Sequence, residues 1–333
     1  MSNSLSLHRS LLALDSHVDI PWPEGPAFAA DGARQVDLPK LQRGGIGAVC
    51  LVAYVPQGPR DAAAMEADFA RATAMLDAIR ALEGEGTRVA TTVDAIERAH
   101  AEGRVAIVPV VENGSAIGTD LGRLQALRER GACYLTLTHN GHNALADSAK
   151  PRPELGDAEE EHGGLSPLGH QAVAELNRLG MLIDVSHASK ATMLQAVERS
   201  RVPVVASHSC MRVFCDHPRN IDDEQLDALA AAGGVVQITA VPYFLRDGGT
   251  ESTVTLADFA DHVDHAVKRA GVEHVGISSD FDGGGGFTGW RDISESANLT
   301  AELSRRGYGK TELGLLWGGN FLRAMRRAQA GAA

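Results

Sequence analysis

"MLIDVSHASKATMLQAVERSRVPVVASHS", residues 181–209, holds two apolar runs of strand length, 181–187 and 202–209. An amphipathic stretch, 189–200, lies between them and opens at a serine suited to cap a helix. Neither run alternates apolar with polar residues. A strand that is apolar on both sides is buried on both faces, the mark of a parallel sheet covered by helices. A helix is also the usual link between two parallel neighbours. Both runs close on a histidine, His187 and His208. The segment reads as one strand–helix–strand unit with a metal-ligand residue type at the end of each strand.

The same rhythm runs through the chain. Further strand candidates are 11–17, 46–55, 105–113, 133–140, 234–241 and 274–282, which makes eight in all. Helical patterns occupy 63–82, 120–131, 166–180, 222–234 and 256–271, several opening on Ser or Asp and closing on Gly. Eight doubly buried strands alternating with helices close most simply into an α/β fold, a (β/α)8 TIM-like barrel with parallel strands and extra C-terminal helices. An open doubly wound sheet competes. Its phosphate loop is missing, because the first strand runs on into "SHVDIPWPEGP" without a Gly-x-Gly-x-x-Gly turn. No composition shift or repeat divides residues 1–333, which are read as one domain, with the acidic loop 141–165 as a lid or surface insertion.

Composition narrows the function. The 333 residues are 44% hydrophobic, 22% charged and 5% aromatic, which excludes disorder and implies a large aliphatic core. A net charge of -12 without a long basic run excludes nucleic acid as a partner and leaves small molecules. No run is long enough to span a membrane. Leu11–Leu14 is too short for a secretion signal, and the ending "RRAQAGAA" carries no lipidation signal, so a cytoplasmic, unanchored protein is expected. Cys50 and Cys133 fall inside strands, as small buried hydrophobes do. Cys210 and Cys215, in a polar loop without C-x-x-C spacing, read as free, exposed thiols.

Barrel enzymes keep their chemistry at the C-terminal ends of the strands. Here the first strand ends at His17 and Asp19, the third at Glu112, the fourth at His139, the fifth at His187, the sixth at His208 and the eighth at Asp280. One histidine at a strand end means little; six strands ending in ligand types at one level mean a site. Imidazoles with carboxylates, one of them placed to bridge, suit two divalent cations, which generate hydroxide at neutral pH and polarise a carbonyl. The chemistry indicated is metal-assisted hydrolysis of an amide or ester. A serine hydrolase lacks its G-x-S-x-G elbow here, and a Cys210 nucleophile near His208 ranks far behind.

"HVDIPW", "VEN", "LTLTHN" followed by "ALADS", "DVSHAS", "VVASHS", "RN" with "DDEQL", "GISSDFDG" and "LWGGNFLR" occur in fixed order from about residue 11 to about 325. The ordered set resembles the membrane (renal) dipeptidase family of the amidohydrolase superfamily, in its bacterial-type form. The resemblance implies a zinc dipeptidase in which a hydroxide bridges two zinc ions. It makes His17 and Asp19 ligands of one zinc, His187 and His208 ligands of the other, and Glu112 the shared carboxylate. By the same resemblance His139 polarises the scissile carbonyl or steadies its oxyanion, Asp280 carries a proton to the leaving amine, and Arg219 grips the dipeptide's free carboxylate. Trp22 and Tyr54 match pocket-lining positions, and a homodimer and dipeptides with a C-terminal D-residue are implied too. Secreted relatives carry a signal sequence, a lipid-anchor signal and a cysteine where this chain has Gln57, differences that favour an intracellular relative. Two other readings compete: the same metal site acting on another small amide or a lactone, and a catalytically silent barrel. Arg219 favours the dipeptide, and neither a ligand nor Asp280 is missing.

Three further motifs read as structural. "HVDH", with His262 and His265, reads as a solvated helix face; "FDGGGG" (281–286) as a flexible rim loop rather than a phosphate cradle; "EEEHGG" (159–164) as a solvent-facing charge run.

Overall fold

Each of the eight apolar runs forms a parallel strand, and the hydrogen-bond register carries them round in chain order. In the computed structural model, which describes residues 2–23 and 28–332, they are β1 Ala13–Asp19, β2 Ile46–Tyr54, β3 Val105–Glu112, β4 Tyr134–Thr136, β5 Leu182–Asp184, β6 Val205–Ser209, β7 Val235–Ile238 and β8 Val275–Ile277. The register levels their C-terminal ends. Tyr54 pairs with Glu112, Glu112 with Thr136, Thr136 with Asp184, and Ile238 with Ile277. Beyond β8 the chain meets β1 again, Asp19 N donating to Phe281 O (3.0 Å) and Asp280 N to His17 O (3.1 Å). The result is a nearly closed barrel of eight parallel strands.

The helices between the strands start where the cap residues place them. The Asp61, Ser166 and Ser189 side chains accept from the third backbone N–H of helices Ala62–Arg80, Pro167–Leu179 and Lys190–Arg199, while Asp222 and Thr255 form reciprocal capping boxes. Sequence periodicity missed the short pieces. Thr87–Val89 is a three-residue strand on the outer edge of β3, and Ser2–Arg9, Leu38–Gly44 and Val93–Ala101 are helices of two turns or so. Runs that short hold too few residues to show a period. At the C-terminal end lie the extra helices, among them Ser296–Arg305 and Asn320–Ala330. Phe321, Leu322 and Met325 of the last one join Leu14, Cys50, Val52, Val108, Val110, Val205 and Val235 in one buried cluster. This helix stoppers the N-terminal end of the barrel and leaves the other end for the site.

One irregularity in β1 aims the first site residues. The β1–β2 register shifts between Asp15 and Val18. Ala13 and Val18, of opposite parity, both belong to the large core cluster, whereas Leu14 belongs to the cluster stoppered by the last helix. A break in the alternation next to a site re-aims side chains, and this one turns His17 and Asp19 into the barrel.

Four expectations need correction. Cys210 and Cys215 are buried, not exposed; each thiol lies 3.3 Å from a backbone carbonyl, Thr239 and Tyr243, and all four cysteines are free. His262 is buried, with both ring nitrogens on backbone groups, because the loop after β6 folds over its helix. Segment 281–286 is a tight turn rather than a loose rim: the amides of Gly283, Gly284 and Gly285 all point at Asp280 O. Loop 141–165 is packed as well, His142 and Asn143 being buried and the Asp147 carboxylate accepting from the amides of Glu161, His162 and Gly164. Glu159, Glu160 and Glu161 do face solvent.

Candidate active site

Glu112, at the end of β3, is the centre of the site. Its Oε1 lies 3.1 Å from His187 Nε2 and 3.4 Å from His208 Nε2, and its Oε2 lies 3.7 Å from His17 Nε2. The opposite nitrogen of each ring shows where the proton sits. His187 Nδ1 faces Asn140 Oδ1 (3.1 Å), an atom that only accepts, so Nδ1 donates. His17 Nδ1 lies 2.8 Å from the Tyr134 hydroxyl, whose own proton goes to Ser16 O. His208 Nδ1 lies 2.8 Å from Ser207 Oγ, whose proton goes to Asp184 Oδ2. Assigned this way, all three rings carry hydrogen on Nδ1 and turn a bare Nε2 lone pair towards one carboxylate. Lone pairs facing a carboxylate at that range repel unless a cation lies between them.

The other carboxylates make the same point. Asp19 Oδ1 is buried and has no hydrogen-bond partner. Burial, then the neighbouring acids, pushes the carboxyls of Asp19, Glu112 and Asp280 up from the usual range. Burial, then the Arg219 charge, pushes His17 and His139 down to about 3; His187 falls well below its usual value from burial first, and His208 from burial and then His17. Such a set is ill suited to hold its own charges and well suited to divalent cations. Ligand atoms of His17, Glu112 and His208 lie within 4.8 Å of one another, as do those of Glu112, His139 and His187, and those of His17, Asp19 and Asp280. The donor chemistry and the unpartnered carboxylate fit metal ions.

Backbone geometry fixes the rim. His187 and Asp280 both have positive φ, 66° and 58°, a strained region that non-glycine residues occupy mainly at functional sites. Gly283 packs so close that an added Cβ would run into Asp19 Oδ2 and Asp280 Oδ1. Asp282, also at positive φ, accepts from Gln35 N, Val36 N and Arg34 Nε, while Arg34 Nη2 donates to Asp19 O. Sequence reading placed Asp282 and Gly283 only in a rim loop and did not point to Arg34.

A cavity of about 190 Å³ opens over the cluster. Asp19, Glu112, Asp280 and the histidines His139, His187 and His208 line its floor. Arg219 lines a wall: its guanidinium is buried, lies 5.3 Å from the Phe244 ring centre and donates to His208 O. Asn140, Lys150, His217, Tyr243 and Phe244, none of which the sequence pattern pointed to, complete the walls. Asn140, Lys150 and His217 come from loops after the strands, and Tyr243 and Phe244 from the four-residue helix Pro242–Leu245, all too short or irregular for a period to mark a side chain as inward. Tyr54 does not line this space itself; its hydroxyl lies 3.4 Å from Nδ1 of His139, which does. Trp22 packs against the core instead and does not line the cavity.

A parallel barrel with a buried imidazole–carboxylate cluster at the C-terminal ends of its strands defines a metal-dependent hydrolase. Comparison with known proteins gives the family: the profile described as membrane dipeptidase, peptidase family M19, matches residues 1–333, and the chain belongs to that family. It is 34% identical to "Dipeptidase verJ" of Clonostachys rogersoniana over 98% of this chain and 86% of that one. It is 32% identical to "Dipeptidase 3" of Rattus norvegicus over 98% of this chain and 67% of that one. Among solved structures, the probable dipeptidase PvdM of Pseudomonas aeruginosa superposes with a TM-score of 0.94 at 31% identity, covering 99% of this chain and 98% of that one. A metallo peptidase of Rhodobacter sphaeroides, liganded with a phosphinate mimic of the dipeptide L-Ala-D-Ala, superposes with a TM-score of 0.83 at 25% identity, covering 96% and 99%. The protein is a dipeptidase of this metallopeptidase family, and no helix among the described residues is long and apolar enough to cross a membrane.

Proposed function

We propose that the protein is a two-zinc dipeptidase that accepts dipeptides with a D-residue at the C-terminal side. The observation that carries the two-metal reading is the pair of Glu112 oxygens facing different histidines, Oε2 towards His17 and Oε1 towards His187 and His208. His17 and Asp19 would hold one zinc, His187 and His208 the other, with Glu112 shared. Held by these residues, zinc would supply a nucleophile at neutral pH and Lewis acidity towards the scissile carbonyl.

This chain's own groups do the rest. Asp280, in reach of Asp19 and His17, takes a proton as the nucleophile attacks and returns it to the leaving amine. His139, with its ring 4.1 Å from that of His187 and kept neutral by burial, donates to the carbonyl oxygen as negative charge develops there. Arg219 pairs its fork with the free carboxylate of the dipeptide. The D-residue is supported by the ligand of the Rhodobacter sphaeroides relative. A cytoplasmic homodimer is part of the same reading, and sedimentation of the purified protein checks the assembly.

The test is a library of L-Xaa-L-Xaa and L-Xaa-D-Xaa dipeptides and their C-terminal amides, run on metal-replete protein with a chelated control and elemental analysis. Two zinc ions per chain, cleavage of L-Xaa-D-Xaa and poor cleavage of the amides are expected. Arg219→Ala should lower kcat/KM on free dipeptides by about 2 to 4 kcal/mol, the scale of a lost charge-assisted pair in a shielded site. Equal cleavage of amides and free dipeptides would point instead to a wider amidohydrolase.

A further inference from the structure

The charges of the cavity divide into two groups. The acids Asp19, Glu112 and Asp280 gather at the metal end, and the two cations, Arg219 and Lys150, stand on the walls. A simple dipeptide has one carboxylate, and Arg219 takes it in the reading above. Lys150 is left over.

Nothing among the described residues uses that second cation. Among the described residues, the Lys150 ammonium makes no ion pair and no hydrogen bond, and its side chain is exposed at the mouth. The neighbouring Arg152 differs, because Glu154 Oε1 (2.8 Å) and Gln57 O (3.0 Å) occupy its guanidinium. Yet the Lys150 backbone is built into the site. Its amide donates to Ser148 Oγ, which lies 2.6 Å from His139 O and 3.2 Å from His187 O, and its carbonyl accepts from Gly141 N. Its charge also faces the wall beside Arg219. His217, which accepts the Arg219 N–H at Nδ1, is held down at about 4 by burial, then by Arg219, then by Lys150.

We infer that Lys150 reads a second carboxylate, so that the preferred substrates are dipeptides whose C-terminal residue is aspartate or glutamate. This rests on the dipeptidase reading and on Arg219 holding the main-chain carboxylate. With that end fixed at Arg219, the C-terminal side chain lies along the wall that His217 and Lys150 form. An ammonium on a flexible stem meets a carboxylate there as a point charge, in either Asp or Glu, without the fixed geometry an arginine would impose.

The experiment uses the metal-loaded enzyme and near-isosteric pairs that differ in charge alone: Ala-Asp against Ala-Asn, and Ala-Glu against Ala-Gln, each with L- and D-configured second residues. Wild type should favour the acid by about tenfold in kcat/KM, the scale of one partly exposed charge-assisted contact, and the preference should shrink as salt rises. Lys150→Met should bring the ratio near one, Lys150→Arg should keep most of it, and Lys150→Glu should turn selectivity towards Ala-Lys. A wild type indifferent to acid against amide overturns the inference, as does a Lys150→Met variant that keeps the preference. Failure to cleave any of these dipeptides overturns the dipeptidase reading itself, a different result from cleavage without selectivity.

Discussion

His17 and His262 are equally buried, each 1% exposed, and burial holds both rings below their usual range, at about 3 and about 4. Their partners separate them. His262 accepts the Met211 N–H at Nδ1 (2.9 Å) and donates from Nε2 to Leu245 O (3.0 Å), so both nitrogens are spent on tying a loop to a helix. His142 does the same with Ser148 N and Ala158 O. His17, His187 and His208 spend only Nδ1 and turn Nε2 to a carboxylate. Burial and a depressed pKa therefore do not mark a candidate metal ligand; a nitrogen without a protein donor or acceptor of the right kind does.

The largest test of that distinction is Glu112→Gln. An amide cannot bridge two cations as a carboxylate does, so metal content should drop and turnover should fall by about ten-thousand-fold. The metal-free form should melt no lower than metal-free wild type, because one of three mutually repelling buried acids is gone. Full metal occupancy in this variant, by elemental analysis, would break the comparison at its centre. Asp280→Asn comes next. It should keep the wild-type metal content and lower kcat by roughly two to four orders of magnitude, the usual worth of a general acid–base group. Near-wild-type turnover would make Asp280 structural.

Ser207→Ala probes the back of a proposed ligand ring. The Ser207 hydroxyl links His208 Nδ1 to Asp184, while Asp184 keeps Thr136 Oγ1 and the Ser186 and Ser207 amides. Losing an orienting partner typically costs about 10- to 100-fold in metal affinity. Competition with a chelator should read that loss with little change in melting temperature.

The barrel was legible in the sequence because its strands are continuous apolar runs and its helices carry Ser, Asp and Gly at their ends; the loops were not. Positions such as His139, His187 and His208 could be placed because a strand end is a predictable location. Lys150, His217 and Tyr243 could not, since what turns them to the cavity is loop packing, through Ser148, Asn220 and their neighbours, that no period encodes. His262 misled for a related reason. A helix face looks solvated until one knows that residues 210–221 lie across it, and the tilted contact of Phe214 with its ring (4.8 Å between centres) joins segments nearly fifty residues apart.

The smallest effect on activity should come from His262, and it sharpens the contrast from the structural side. His262→Ala strips a partner from the buried Met211 N–H and from Leu245 O and leaves a void, so it should lower stability by about 2 to 4 kcal/mol while metal content stays at the wild-type level. Its pH dependence follows from the same bonds. Burial disfavours the charged ring, and Nδ1 must stay bare to accept from Met211 N, whereas the Nε2 bond to Leu245 O survives protonation; the folded state therefore resists protonation down to about 4, against an ordinary value near 6.5. The unfolded chain binds the proton first as pH falls. This histidine's contribution is therefore fully present above about pH 6.5 and is lost progressively between there and about 4, by about 1 to 2 kcal/mol between pH 7 and pH 5. Denaturant unfolding of wild type and variant at those two pH values isolates the term, because the other buried histidines titrate alike in both. The gap between the two proteins should narrow at pH 5. A gap that stays constant would mean that the site tolerates a protonated His262, and that the Met211 N–H does not depend on a bare Nδ1.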